Sequence, residues 1–262
     1  MANTVLCAID LGPSTTRVVS HAAAFAGAIG AELEIVHSTD ADPSEYGAIS
    51  EAFYKALPYD VSIGESTFSV QPGPADDAIL REAAAAGVEL IVIGSSARNG
   101  LARLLLGSTS EAVLQKTRTP VLLVPPTELD IVTAGPRPAI TCGAVLAAVD
   151  LADVNLRQIR IASKVAAVAA CPLHLLTIAG DGLSDHDAAQ RLRALATHLD
   201  PVRPRALIVR RGDVAEEISR CALSEKSGLV VMGLRDPARG RPGLTIAKVL
   251  QSHRAFVLAV PA

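Results

Sequence analysis

Residues 88–125 read VELIVIGSSARNGLARLLLGSTSEAVLQKTRTPVLLVP. Two short apolar runs, residues 90–93 and 121–124, lack polar alternation, which is typical of parallel strands that helices cover on both faces. Between them lie a loop that begins at Gly94 and a helical segment that begins near Gly107. Open α/β sheets bind ligands at the carboxyl ends of their strands, and helix N-termini attract anions. This order of segments therefore predicts a phosphate site.

The same order of segments occurs twice along the chain. VLCAID, which ends at Asp10, recurs as VLAAVD, which ends at Asp150, at an offset of 140 positions. VLLVP, which ends at Pro125, recurs as VLAVP, which ends at Pro261, at an offset of 136 positions. Because a nearly constant offset is the signature of an internal repeat, the sequence predicts two copies of one domain.

Within each copy, five apolar strands alternate with helical segments. Such alternation implies right-handed crossovers and a parallel sheet with helices on both faces. We therefore predict an α/β protein of two tandem five-stranded, doubly wound parallel-sheet domains. The expected domains are residues 1–126 and 144–262. The segment 127–143, which contains three turn-favouring residues in Gly135-Pro136-Arg137-Pro138, is the expected linker.

Composition and charge argue against several classes of function. Half of the 262 residues are apolar, which is enough for two cored domains. A net charge of −3 argues against nucleic-acid and anionic-membrane partners, and an aromatic content of 3% without Trp leaves few platforms for base stacking. The sequence shows neither a signal-peptide pattern nor an apolar run of bilayer length, so we expect a cytoplasmic protein.

Motifs of other nucleotide-binding and catalytic proteins are missing from the sequence. No Gly-Lys dipeptide for a Walker loop occurs, and no GxGxxG follows the first strand. The triplet Asp185-His186-Asp187 lies where a helix should begin, so its acids are best interpreted as residues of a helix N-terminus. No nucleophile–base pair can be nominated. The four cysteines lack metal-ligand or CxxC spacing, so reduced thiols are expected: Cys7, Cys142, Cys171 and Cys221.

The loop after the fourth strand carries a specific spacing. Gly94 is followed after two residues by Ala97, and nine further residues precede Gly107-Ser108. In this spacing the sequence resembles the universal stress protein family, whose nucleotide-binding members carry G-x2-G-x9-G-[S/T] at this place. The resemblance covers essentially the whole chain as two tandem domains and is strongest in the first copy. It implies the adenine nucleotide α-hydrolase-like fold and ATP as the ligand.

The resemblance also implies roles for individual residues of the first copy. Asp10 would contact the adenosine, and backbone near Ser38, after the second strand, would hydrogen-bond the adenine edge. Gly94 would allow the loop to approach the ribose and phosphates. The remaining residues would surround the phosphate oxygens, with Mg²⁺ expected only together with ATP: Ala97, Arg98, Gly107, Ser108 and Thr109.

Several positions depart from the family pattern. Ala97 replaces the second motif glycine, and its Cβ crowds a close phosphate and costs about 1 kcal/mol if a positive φ is required there. We therefore expect weakened rather than abolished ATP binding. The family's Asp-Gly-Ser after the first strand is Asp10-Leu11-Gly12 here. In the second copy Ile246 stands where the last motif glycine is due, so its loop is degenerate and ATP binding there is not expected.

The sequence leaves three functions open. The first is a cytoplasmic ATP-binding regulator of the stress response, and the second is an interaction scaffold of the same family that binds no nucleotide. The third, an ATP hydrolase, is least favoured because no catalytic base is evident. The resemblance further implies that the strands at 121–124 and 256–260 pair to form a pseudo-dimer within the chain, which would cover two sheet edges. A homodimer of two chains is a further possibility.

Overall fold

The computed structural model describes residues 3–57, 63, 66–85, 87–95, 106–127, 129–152, 154–197, 199–234, 243–253 and 255–262. The chain divides into two compact units. The described residues of unit 1 lie within 1–95, 106–126 and 132–140, and those of unit 2 lie within 127–131 and 141–262. The expected linker thus contributes to both units. Within it Val132 and Ile140 form an antiparallel bridge.

Unit 1 is a parallel sheet whose strands are connected by helices. The strand order is β3-β2-β1-β4-β5, and every pair is parallel. A short 3-10 turn at Pro43–Glu45 precedes the second helix. In chain order the elements are β1 (Thr4–Ile9), α1 (Thr15–Ile29), β2 (Glu32–Thr39), α2 (Tyr46–Ala56), β3 (Thr67–Pro72), α3 (Ala75–Ala83), β4 (Val88–Gly94), α4 (Ser108–Lys116) and β5 (Val121–Val124).

Unit 2 repeats this architecture. Its strand order is β8-β7-β6-β9-β10, again with parallel pairs. The chain therefore has the predicted α/β fold of two tandem five-stranded parallel-sheet units. In chain order the elements are β6 (Val145–Ala148), α5 (Leu156–Val168), β7 (Leu173–Ile178), α6 (Asp185–Ala196), β8 (Ala206–Arg210), α7 (Val214–Ser224), β9 (Leu229–Gly233), α8 (Leu244–His253) and β10 (Phe256–Val260).

The central strands form the core of each unit. Five of the six residues of β1 and four of the five residues of β9 are buried, and each of these strands lies between two others of its unit, as expected where helices cover both faces of a parallel sheet. In unit 1 the chain leaves β1 toward β2 on one side and later returns to β4 on the other. A crevice therefore opens at the carboxyl ends of β1 and β4. Within the described part of the chain, no helix is long and apolar enough to cross a membrane.

The first helices of the two units end in the same way but with different residues. Gly30 ends α1 with φ 64°, and its N–H and that of Ala31 donate to Gly27 O and Ala26 O. Ala170 ends α5 with φ 48° and the same pair of hydrogen bonds. A left-handed residue at this position favours glycine, because a Cβ there approaches the following carbonyl oxygen. The second unit therefore carries a local strain that the first one lacks.

Exchanging these residues should change stability in opposite directions. We expect Ala170→Gly to raise, and Gly30→Ala to lower, the free energy of unfolding of the respective unit by about 1 kcal/mol. Gly27 lies within α1, and a Cβ at this position would meet no atom of the described residues within 4 Å. Gly27→Ala should therefore stabilise α1 by about 1 kcal/mol. Urea denaturation measures all three variants, and equal shifts for Gly27→Ala and Gly30→Ala would contradict this explanation.

Candidate functional site

A cleft of about 880 Å³ opens in unit 1 beside the carboxyl ends of β1 and β4. This volume lies within the range of roughly 300–1,000 Å³ that is usual for small-molecule sites. Ala97 and Arg98, which were also predicted to bind the ligand, lie outside the described residues. The structure brings the other six predicted residues together in the lining of this cleft: Asp10, Ser38, Gly94, Gly107, Ser108 and Thr109.

A tight turn after β1 holds the carboxylate of Asp10. Its Oδ1 accepts a hydrogen bond of 2.9 Å from Gly12 N–H. Leu11, between them, has φ 57°, a left-handed conformation that is strained for leucine and easy for the glycine of the family pattern. In unit 2, Asp150 Oδ1 accepts a hydrogen bond of 2.9 Å from Ala152 N–H, although Leu151 between them has no left-handed φ. An aspartate that accepts from the N–H two residues later thus follows the first strand of both units.

The cleft wall opposite this turn is the beginning of α4. Gly107 precedes the helix without a side-chain cap, and the N–H groups of Ser108, Thr109 and Ser110 form the first turn, where no intrahelical acceptor exists. These groups and the helix dipole favour a bound anion. Gly107 N–H itself donates to Ser95 O at 3.3 Å. The Gly107 N–H is therefore already engaged, whereas the residues that follow it have N–H groups without an intrahelical acceptor.

A buried hydroxyl ties the start of α4 to the end of β4. Ser110 is 2% exposed, and its Oγ donates to Gly94 O at 2.9 Å. Gly94 has no left-handed φ, and among the described residues a Cβ there would meet only Val18 Cγ2 at 3.6 Å and Ser14 Oγ at 3.9 Å. Both distances are ordinary contacts. The backbone conformation therefore does not require glycine at Gly94, and the small size of this residue matters only for what enters the cleft.

Two residues that line the cleft were not predicted from the sequence, and each has a polar atom that is able to hydrogen-bond a ligand. Thr15 Oγ1, at the start of α1, is buried and has no hydrogen-bond partner within the described part of the chain. Because nearly all buried polar atoms in proteins are hydrogen-bonded, this hydroxyl is suited to a ligand or water in the cleft. His37 is also buried, and its Nδ1 lies 3.0 Å from Ile9 O. A carbonyl oxygen only accepts, so the neutral ring carries its proton on Nδ1 and keeps Nε2 as an acceptor.

Strand β2 supplies a third wall of the cleft. Its pairing with β1 ends at Ile9↔His37, while its pairing with β3 continues to Thr39↔Pro72. Ser38 therefore lies inside β2 and not after it, which corrects the expected end of this strand. Ser38 and Thr39 are the two residues of β2 that extend past its pairing with β1, and both line the cleft. The strand is longer than predicted because the polar run after residue 36 still pairs with β3.

The charges around the described cleft are acidic. Asp10 and Asp40 line it, and none of its described lining residues is Lys or Arg. Attraction for an anion in the described part of the cleft therefore comes from backbone N–H groups, helix dipoles and hydroxyls. Within the described residues, no group of three or more His, Cys, Asp or Glu side chains could hold a metal ion.

Unit 2 has a smaller cleft at the corresponding place, of about 440 Å³. Two amide side chains occupy its floor. Gln158 is 2% exposed, and its Nε2 donates to Ala148 O at 2.8 Å and to Val231 O at 2.9 Å. Asn155 Nδ2 donates to Val260 O at 3.2 Å and to Pro261 O at 3.1 Å. These amides hydrogen-bond carbonyls at or beside the ends of β6, β9 and β10.

The glycines that end β4 and β9 show how the two clefts differ. A Cβ at Gly94 would face Ser14 and Val18, whereas a Cβ at Gly233 would lie 3.2 Å from Gln158 Oε1 and 3.7 Å from Asn155 Cβ. In unit 2, two amides thus take the places that a hydroxyl and a valine hold in unit 1. Their side chains fill space that is open in the first cleft.

The degenerate loop of the second copy lies partly outside the described residues, which resume at Gly243. Ile246, in the place of the last motif glycine, is 2% exposed and lines the second cleft as an apolar residue. The acidic triplet at 185–187 forms the start of α6, as predicted. Ser184 caps that helix by accepting a hydrogen bond of 3.1 Å from Asp187 N–H.

Comparison with known proteins assigns the chain to a family. Residues 1–125 match the model of the universal stress protein family. Universal stress protein A homolog 2 of Coxiella burnetii is 33% identical over 137 residues, which cover 46% of this chain and 92% of that protein. The chain belongs to the universal stress protein family.

Two further comparisons agree with this assignment. A universal stress protein of Thermus aquaticus, from the QAH/OAS sulfhydrylase 3′ region, is 31% identical over 136 residues, which cover 47% of this chain and 99% of that protein. A solved universal stress protein from Archaeoglobus fulgidus has a TM-score of 0.74 at 18% identity, covering 100% of this chain and 99% of that one. At that identity the second likeness supports the fold alone.

The amide pair of unit 2 should be structurally important. We expect Gln158→Ala to lower the free energy of unfolding of unit 2 by about 3 kcal/mol, because the carbonyls of Ala148 and Val231 each lose a donor and a cavity remains. Gln115→Ala is the matched control, since Gln115 is exposed and donates only to Glu111 at 3.2 Å. It should change stability by less than about 0.5 kcal/mol. Equal effects in urea denaturation would show that Gln158 does not hold the strand ends.

Proposed function

We propose that unit 1 binds ATP and that the chain acts as a cytoplasmic, ATP-binding regulator of the stress response. The observation that supports this most strongly is the convergence of six motif residues from four separate segments on one cleft. Membership of the universal stress protein family adds to it. Regulation requires only that ATP bind two states of the protein with different affinity, and hydrolysis is not needed.

The proposed ligand extends across the cleft from β2 to α4. The backbone at Ser38 and Thr39 meets the adenine edge, and Asp10 meets the adenosine. The phosphates lie against the first turn of α4, where the N–H groups of Ser108 and Thr109 and their hydroxyls donate hydrogen bonds. When bound, ATP supplies a flexible polyanion whose charge these donors stabilise.

The cleft contains hydrogen-bonding groups that have no partner among the described residues, and these groups fit such a ligand. Thr15 Oγ1 needs a partner, and the N-terminus of α1 lacks a side-chain cap at Ser14. The acidic groups Asp10 and Asp40 oppose a free triphosphate, so Mg²⁺ enters the proposal as the ion that accompanies ATP. The pairing of β5 with β10 as a pseudo-dimer, a homodimer of two chains and the cytoplasmic location stay predictions.

A methyl group at Gly94 should separate binding from folding. Gly94→Ala meets only ordinary contacts in the protein but intrudes where the ribose and phosphates approach. We expect ATP affinity to fall at least about tenfold, which corresponds to about 1.4 kcal/mol, with an unchanged midpoint of urea denaturation. Isothermal titration calorimetry with ATP at millimolar concentration measures the affinity.

The control for this variant is Gly180→Ala. Gly180 is exposed in unit 2, and a Cβ there meets nothing within 4 Å. It should leave both affinity and stability unchanged. Wild-type protein that binds no ATP in the calorimeter and releases no adenine nucleotide on denaturation would instead favour the family scaffold without a nucleotide.

Restoring the family glycine should strengthen binding. Ala97→Gly removes a Cβ from the phosphate loop and relieves any left-handed strain there, so the dissociation constant for ATP should fall by about fivefold, or about 1 kcal/mol. Adenosine, which has no phosphates, should bind both proteins equally in the same titration. An unchanged ATP affinity would mean that position 97 does not approach the phosphates.

A further inference from the structure

Two cysteines that are 29 positions apart in the chain are in contact in unit 2. Cys142 Sγ and Cys171 Sγ are 3.3 Å apart, and the four cysteines are all free. Both side chains of the pair are partly exposed, whereas Cys7 and Cys221 are buried. The contact could not be predicted from the sequence, because 29 positions separate the two thiols and no spacing motif links them.

The end of α5 fixes the position of Cys171. Ala170 adopts the left-handed conformation that ends the helix, and Cys171 N–H donates to Ala166 O at 3.0 Å. Two residues later β7 begins at Leu173, which pairs with Val145 of β6. Cys171 is therefore held between a capped helix and a strand of the sheet.

Close packing fixes the position of Cys142. A Cβ on Gly228 would lie 3.3 Å from Cys142 Cβ, and a Cβ on Gly143 would lie 2.5 Å from Lys226 O. Neighbouring Thr141 N–H donates to Ile131 O at 2.7 Å. The backbone at Cys142 is therefore tightly packed against the residues that precede β9. Both thiols are thus held in contact by backbone structure.

We propose that Cys142 and Cys171 form an oxidation site, at which a hydroperoxide converts the two thiols into an intrachain disulfide. The sulfurs must approach by about 1.3 Å, from 3.3 Å to the S–S bond length of about 2.05 Å. The site lies at the amino ends of β6 and β7, whereas the clefts lie at the carboxyl ends of strands. It is therefore independent of the proposed ATP site.

The pair is electrostatically asymmetric. The hydrogen bond from the Cys142 thiol lowers the pKa of Cys171, whereas that same hydrogen bond, together with burial, raises the pKa of Cys142. Cys171 is therefore the more acidic thiol of the pair, and we assign it as the nucleophile. In contrast, burial raises the pKa of Cys221 to about 11 and also raises that of Cys7.

The reaction has two steps. The Cys171 thiolate attacks the terminal oxygen of the hydroperoxide, so that an S–O bond forms, the O–O bond breaks and an alcohol or water leaves after taking up a proton. Cys142 then loses its proton, and its sulfur attacks the sulfenic sulfur of Cys171. The S–S bond forms, the S–O bond breaks and water leaves. The two thiols are oxidised by two electrons, and the hydroperoxide is reduced.

Oxidation should change the stability of unit 2. The disulfide closes the chain from residue 142 to residue 171, which contains β6 and α5. Because such a link reduces the conformational entropy of the unfolded chain, the oxidised protein should unfold at a higher temperature than the reduced protein.

The test uses the full-length chain and hydrogen peroxide. The reduced protein is treated with a few equivalents of peroxide, alkylated, and digested without reductant for mass spectrometry. The expected product is one disulfide-linked peptide pair containing Cys142 and Cys171, with Cys7 and Cys221 still reduced. Dithiothreitol should restore both thiols. Four reduced thiols after treatment, or a disulfide between other cysteines or between chains, would overturn the proposal.

Single variants test the order of the two steps. Cys142→Ser should leave a sulfenic acid on Cys171 that dimedone traps, while Cys171→Ser should react much more slowly at Cys142. Cys221→Ser is the matched control and should form the disulfide as the wild type does. If the two variants of the pair trap dimedone equally fast, Cys171 is not the nucleophile. The rate of alkylation of Cys171 in the wild type checks its reactivity without any substitution.

Discussion

The contact between the start of the first helix and the glycine that ends the fourth strand controls each crevice of this protein. The connections that follow the two neighbouring central strands lead to opposite edges of the unit's sheet, so the carboxyl ends of these strands and the helix N-terminus face a common space. Whatever side chains occupy the first helical turn either leave that space open or fill it. In unit 1 these side chains are Ser14 and Val18, and in unit 2 they are Asn155 and Gln158.

Hydrogen bonding explains why the two units differ in this way. In unit 2 the Asn155 and Gln158 amides satisfy carbonyls at the ends of three strands, and buried carbonyls are costly when left unpaired. In unit 1 the equivalent space is open, and Thr15 keeps a buried hydroxyl that has no partner among the described residues. One copy of the duplicated domain thus has a smaller crevice that is lined by two of its own amide side chains, while the other copy has kept groups that a ligand can satisfy.

Much of the fold follows from local patterns in the sequence. The apolar runs at 90–93 and 121–124 are long enough to identify buried strands, and the near-constant offset of the repeat extends that assignment to the second copy. Gly30 marks a helix end because only a left-handed residue completes the hydrogen bonds there. The parallel pairing of the strands follows from their alternation with helices. These features depend on neighbours in sequence or on general topology.

The parts of the site that escaped prediction depend on contacts between distant residues. His37 gains its orientation from Ile9 O, 28 positions away, and Gln158 from Val231 O, 73 positions away. The sequence pattern does not indicate which carbonyls the Gln158 amide meets. A position-by-position alignment of the two copies places Gln158 opposite Val18. This exchange of an apolar residue for an amide is the signal in the sequence that could have revealed the role of Gln158.

The proposed function depends on phosphate binding at the start of α4. A titration with ATP, followed at individual backbone amides by NMR, tests this binding most directly. Adding ATP with Mg²⁺ to ¹⁵N-labelled protein should shift the amide resonances of Ser108, Thr109 and Ser110 together with those of Ser38 and Thr39. All five should follow one saturation curve, and adenosine should move only the last two. Shifts confined to unit 2, or none at millimolar ATP, would contradict the account.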